Sequence, residues 1–277
     1  MTDPAGQRRT AFVLSGGGAK TAAHLGAARA LAEYGISPVH YVGTSIGAVL
    51  AVALAAGLAP DEVVARLDRL AHTGLRPRPL AAIAGLHVNG LLRPEPLRAA
   101  MAALLPVRRF SECPTPVTVT AVDMDTGEPV VFGAGGEDVP VLEACMASAA
   151  LPLYLPPVTI GGRRLGDGGL LAVVPLAEAV LLGPDRIIAV HVGPRMDAVA
   201  AAPDRSPPGV RAHSEATGIM MAALTAMQVR AWRADPGRPA LTLVQPEMDR
   251  NGTFRVDLIP KFVAEGYRAT VASLQQP

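Results

Sequence analysis

The chain has 277 residues, 50% hydrophobic but only 4% aromatic, and a formal net charge of +1. That length buries a substantial core in one domain, or in a domain with a small lid. The near-neutral balance and the lack of basic residues interleaved with aromatics exclude a strongly charged partner surface and a nucleic-acid groove, so no nucleic acid is expected.

Residues 1–10 are polar, with Arg8 and Arg9 and no apolar stretch behind them, so no signal peptide is expected. The first apolar run, Ala11-Phe12-Val13-Leu14, predicts a strand over 9–14. It leads into Ser15-Gly16-Gly17-Gly18-Ala19-Lys20. Consecutive glycines after a strand expose backbone N–H groups and let a ligand approach closely, which suits an oxyanion; a tight turn without a ligand is the alternative. Ala19-Lys20-Thr21 shares its ending with a phosphate loop, but Leu14 and Ala19 stand where that motif needs glycine, so nucleotide binding is set aside.

A helix is predicted over 22–34 and a strand over 39–42. Gly43-Thr44-Ser45-Ile46-Gly47 follows, and a buried helix over 48–56 comes next. A serine at a sharp strand-to-helix turn needs small neighbours, which Gly43 and Gly47 supply, and the helix aims its positive end at an oxyanion forming beside Ser45. The longest apolar run, Ile46 to Ala59, has 14 residues and is too short to span a bilayer. A cytoplasmic protein is expected.

Further helices are predicted over 60–71, 94–104, 140–149, 175–182, 215–233 and 260–274, several beginning with proline. Strands are predicted over 115–123, 129–132, 158–160, 186–192 and 240–245. The alternation predicts an α/β fold of three layers, a mostly parallel sheet with helices on both faces, in a single domain over 1–277. Ligands bind such sheets at the carboxyl ends of the strands, where the glycine loop and Ser45 both fall. Residues 73–110 suit a cap or lid and 193–213 a mobile loop. In the helix over 215–233, Met220, Met221, Leu224, Met227 and Trp232 form a stripe that reads as core, and Arg230 and Arg233 suit its carboxyl end.

Leu165-Gly166-Asp167-Gly168-Gly169 presents a carboxylate between glycines, either a plain turn or a general base. The three clusters in this order resemble the signature of the patatin-like phospholipase family. A fourth block, Ala147-Ser148-Ala149-Ala150-Leu151-Pro152-Leu153-Tyr154-Leu155-Pro156-Pro157, is similar to the segment that family carries before its Asp-Gly-Gly. The resemblance covers roughly residues 8–190.

The resemblance implies a patatin-like three-layer fold and a serine lipid acyl hydrolase of the phospholipase A or lysophospholipase type. Ser45 would be the nucleophile and Asp167 the base, with backbone N–H groups of Gly16, Gly17 and Gly18 as the oxyanion hole. Lys20, Gly43, Gly47, Gly168 and Gly169 would support the motif. The chain departs from the pattern at Thr21, where the family has glycine, and at Leu171-Ala172-Val173-Val174-Pro175, where it has an asparagine.

The expected partner is a lipid or acyl ester, with transient contact at a membrane surface. No cofactor or metal is called for: Cys113 and Cys145 are read as free thiols, and no calcium-loop pattern occurs. Two other readings stay open. One is a catalytically weak lipid-binding or regulatory protein. The other is a His-dependent esterase or acyltransferase, with His191 or His213 following Asp167 in triad order and His24 read as a packing residue.

Overall fold

The computed structural model describes residues 8–71, 90–197 and 206–275. Among the described residues, eight strands form one mixed sheet: β1 (Thr10–Leu14), β2 (Pro38–Thr44), β3 (Val117–Asp123), β4 (Pro129–Gly133), β5 (Val158–Ile160), β6 (Arg163–Asp167), β7 (Arg186–Val190) and β8 (Ala240–Val244). Five run parallel in the order β3-β2-β1-β7-β8, while β4 and β6 pair antiparallel with β3, and β5 with β6. The helices are α1 (Ala23–Glu33), α2 (Ile46–Ala55), α3 (Pro60–Ala71), α4 (Pro94–Leu104), α5 (Val141–Ser148), α6 (Leu176–Ala179), α7 (Pro208–Ala234) and α8 (Ile259–Leu274).

Side chains alternate across the central strands, because successive residues of a strand point to opposite faces. Phe12, Leu14, Ile188 and Val190 join one core with α1, α2, α5 and α8. Ala11, Val13, Ile187 and Ala189 join the other with α6 and the Val229 and Trp232 side chains of α7. Both faces of the parallel strands are therefore covered, which explains their unbroken apolar runs.

The arrangement around β3 positions the site. Strand β4 pairs with Thr118–Val122, so β2, opposite Val117–Thr120, and β6, opposite Ala121–Asp123, share the other edge. They run in opposite directions and meet end to end, with Thr44 facing Thr120 and Asp167 facing Ala121. The residue that follows Thr44 is thereby delivered to Asp167.

The structure differs from the sequence expectations in several places. Asp167 was expected on a turned loop but closes β6, a strand whose charged Arg163-Arg164 and Gly166 hide its period and whose pairing with β3 spans three residues. The helix expected over 175–182 is the single turn α6. Of the cap segment 73–110, residues 73–89 lie outside the described residues. Helix α4 packs into the domain, burying Ala100, Met101 and Leu104 and joining Arg98 to Glu143 of α5 through two hydrogen bonds of 2.6 and 2.7 Å. Of the loop 193–213, residues 198–205 lie outside the described residues, and 208–213 are the start of α7, with Pro208 in the first turn where its missing N–H costs nothing. His213 is therefore helical.

Candidate active site

Strand β2 ends at Thr44 and α2 starts at Ile46, leaving Ser45 alone in the turn at φ 56°, ψ −134°. A side chain in this region of backbone space is strained by about 1–3 kcal/mol and persists only where the surroundings hold it. The two flanking glycines permit the bend. A Cβ on Gly43 would lie 2.5 Å from the Cα of Ala48, and one on Gly47 would collide with the carbonyls of Leu14 and Ser15. Strand β2, helix α2 and the end of β1 thus touch backbone to backbone around the serine.

The Ser45 hydroxyl donates to Oδ2 of Asp167 at 2.7 Å. The other carboxylate oxygen, Oδ1, accepts the Gly169 N–H at 2.7 Å, which fixes the carboxyl plane and leaves Oδ2 to the serine. Asp167 is 4% exposed. Burial pushes its carboxyl up to about 6, opposed by the hydrogen bonds from Ser45 and Gly169. Behind the pair, the hydroxyls of Thr44 and Thr120 meet at 2.7 Å, and Gly168 lies where a Cβ would be 2.5 Å from the Thr120 hydroxyl.

The backbone of Ser45 has its own support. Its N–H donates to the hydroxyl of Ser148, the fully buried last residue of α5, at 2.8 Å. Ser148→Ala would leave a backbone donor unpaired beside the nucleophile, at a cost of about 1–3 kcal/mol. We expect that variant to fold, to lower kcat about 10- to 100-fold with little change in KM for a soluble ester, and to recover partly as Ser148→Thr. An unchanged kcat would show that the strained turn holds itself.

In the glycine loop, the Gly16 N–H is already committed to the carbonyl of Val173 at 3.1 Å. Among the described residues, the N–H groups of Gly17 and Gly18 have no hydrogen-bond partner. Gly16 lies beside Ser45, a Cβ there falling 3.2 Å from the serine Cβ. Gly18 (φ 60°) is braced by the Thr253 carbonyl. The departures from the family pattern find roles here: the Thr21 hydroxyl donates to the Gly18 carbonyl at 2.6 Å, and Ala172 accepts from Thr44 at 3.3 Å.

Lys20 is buried behind this loop, its stem against Gly252. Burial lowers its ammonium to about 8, against the raising pull of Asp249. His24 bonds the Ser15 carbonyl through Nε2 at 2.9 Å, and burial lowers it to about 4. His191 is lowered to about 3, by burial first and then by Arg195 and Lys20. The carboxylate of Asp167 is engaged by Ser45 and Gly169, and no histidine among the described residues bonds to it or to Ser45.

Sequence reading named Ser148 only within the family-like segment and gave it no role, and it passed over Thr120 and the Gly252–Phe254 turn. A lone hydroxyl among Ala147, Ala149 and Ala150 was the available signal for the first.

A serine in a strained strand-to-helix turn, at the carboxyl edge of a sandwiched α/β sheet and against a buried carboxylate, stands where folds of this class carry their ligand sites. The family model described as Patatin-like phospholipase matches residues 12–180. The chain belongs to that family, one of lipid acyl hydrolases. An uncharacterized NTE family protein of Mycobacterium tuberculosis is 34% identical over 199 residues, 69% of this chain and 52% of that protein. A patatin-like phospholipase domain-containing protein of Caenorhabditis elegans is 33% identical over 188 residues, 66% of this chain and 13% of that protein. The chain spans about half the length of that mycobacterial relative. VipD from Legionella pneumophila, at 16% identity, shares the fold with a TM-score of 0.51 over 99% of this chain and 69% of that one.

Proposed function

We propose that this chain hydrolyses carboxylic esters of lipids through a Ser45–Asp167 dyad and an acyl-enzyme, as a phospholipase A or lysophospholipase. The observation that carries this reading is the 2.7 Å hydrogen bond from the Ser45 hydroxyl to Asp167, made at a turn whose φ is positive.

A serine hydroxyl is too weak an acid to attack an ester unaided, so the carboxylate takes its proton as the bond to the carbonyl carbon forms. Charge then develops on the former carbonyl oxygen. The N–H groups of Gly17 and Gly18 and the amino end of α2 are the donors suited to it, Gly16 being occupied by Val173. Asp167 returns the proton to the departing alcohol, which leaves the acyl group on Ser45. It then deprotonates a water that attacks the acyl-enzyme, and the carboxylic acid departs as Ser45 regains its hydrogen. A carboxyl pushed up to about 6 is a stronger base than an exposed one and still ionised at neutral pH.

Labelling with a fluorophosphonate, followed by peptide mapping, tests this directly. The label is expected on Ser45, in wild-type protein and not in Asp167→Asn at the same exposure time. Labelling elsewhere would move the nucleophile to another residue, and tight fatty-acid binding with no labelling would transfer the protein to the class of lipid binders.

A further inference from the structure

Strand β1 lies between β2 and β7 in the sheet, so the glycine loop that follows it has Ser45 on one side and the residues after β7 on the other. Ser15, the first residue past β1, is fully buried and fastens the loop to the β7 side. Its N–H reaches the Val190 carbonyl at 3.3 Å. Its hydroxyl accepts the Val192 N–H at 2.9 Å and donates to the Gly16 carbonyl at 3.1 Å. A hydroxyl has one hydrogen and two lone pairs. With Val192 on a lone pair, the hydrogen is left for Gly16.

The peptide units of the loop are fixed to different degrees. The unit joining Ser15 to Gly16 is bonded at both ends: its carbonyl accepts from Nε2 of the buried His24 at 2.9 Å, and its N–H donates to Val173 at 3.1 Å. The next unit, joining Gly16 to Gly17, is bonded at its carbonyl alone. Among the described residues the Gly17 N–H has no partner, and Ser15 is the one hydrogen-bond donor to the Gly16 carbonyl.

In a planar trans peptide the carbonyl and the N–H point in opposite directions. The Gly16 carbonyl points to the β7 side, where a Cβ on Gly193 would lie 3.2 Å from its oxygen. The Gly17 N–H is thereby directed away from β7, to the side where Ser45 follows β2 and where a Cβ on Gly16 would lie 3.2 Å from that of the serine. The two torsions that rotate this unit both belong to glycines, in which no Cβ resists a flip. A flip would exchange the two groups and set a carbonyl oxygen against the developing negative charge.

We propose that Ser15 is a positioning residue for ester hydrolysis: its hydroxyl, itself held by Val192, anchors the Gly16 carbonyl and so aims the Gly17 N–H at the oxygen that becomes anionic as Ser45 attacks. The inference rests on the acyl-hydrolase reading and adds to it the group that orients an oxyanion donor. The second unpaired N–H, that of Gly18, is in a residue braced by Thr253 and Thr21 rather than by Ser15. Loss of the Ser15 hydroxyl therefore slows the reaction without abolishing it.

Two ligands of the same alkyl chain separate aim from fold. A trifluoromethyl ketone adds to the serine as a hemiketal and places an oxyanion before the loop, whereas the methyl ketone stays a neutral carbonyl. Ser15→Ala is expected to lower kcat on a soluble ester about 10- to 100-fold, per folded molecule, with KM within about threefold of wild type. It is expected to weaken the trifluoromethyl ketone by the same factor and the methyl ketone by less than about threefold. Ser15→Thr keeps the hydroxyl and is expected to recover most of both losses. Ser15→Cys keeps the shape with a weak donor, so it is expected to follow alanine and replaces it should alanine fail to fold. A wild-type kcat in Ser15→Ala overturns the proposal. So does a fall in kcat with trifluoromethyl ketone affinity unchanged, or a folded Ser15→Thr as slow as Ser15→Ala. Wild-type protein that binds the trifluoromethyl ketone no better than Ser45→Ala does would sink the dyad and this proposal with it; binding that needs Ser45 and is indifferent to Ser15 would sink this proposal alone.

Discussion

Ser45→Ala lowers hydrolysis of a soluble carboxylic ester by about 10³-fold or more, with the fold retained. The substitution removes one atom from a turn that is otherwise unchanged. Alanine keeps the Cβ and so the same strained backbone, and the Ser45 N–H still reaches the Ser148 hydroxyl. Only the bond to Oδ2 of Asp167 is lost. Activity therefore falls through loss of the nucleophile, and thermal unfolding stays near that of wild type. Steady-state rates on a chromogenic ester, paired with a melting curve, make the comparison. A variant within about tenfold of wild type would transfer the chemistry to another residue.

Asp167→Asn is expected to cost activity on a similar scale, about 10³-fold, and to act in the opposite direction on stability. Burial holds the folded carboxyl up at about 6, while the unfolded chain releases its proton near 4. Below pH 4 both states are protonated and the group costs nothing. Between pH 4 and 6 the unfolded state has lost its proton and the folded state has not, so stability falls as pH rises. Above 6 the deficit is constant. Two pH units correspond to about 3 kcal/mol at most, and the asparagine, which never ionises, avoids it. At pH 8 the variant is thus expected to be about 1–3 kcal/mol more stable than wild type, measured by urea unfolding. The same titration shapes the rate: wild-type kcat/KM climbs from acid pH and levels above about 6, as the base loses its proton. A flat profile from pH 4 to 8, or an asparagine variant that remains active, would remove Asp167 from the role of base.

These effects trace to a division between local and distant chemistry. Gly43 and Gly47 were legible because any larger side chain meets backbone atoms of the adjoining elements. The helices over 60–71 and 94–104 were read at their observed bounds, since proline in a first turn and a steady apolar period are properties of the segment itself. Strand β6 escaped notice because it owes its extension to β3, some 40 residues away in the chain. Ser148 was passed over for a similar reason: its partner, Ser45, lies 103 residues away. The period of α7 was visible, but a period states only that a stripe exists, and the neighbours decide whether it faces in or out.

By itself the amino-acid order determined the serine turn, the glycine loop and the alternation of strands and helices, because each follows from steric and hydrogen-bonding limits within a few residues. Tertiary structure alone decided that β2 and β6 meet end to end along β3, which brings a hydroxyl and a carboxyl 122 residues apart to 2.7 Å. It alone divided the apolar stripe of α7, burying Trp232 and turning Met220 and Met227 outward. Register and facing are set by the summed packing of segments remote in the chain, and no window of sequence contains that sum.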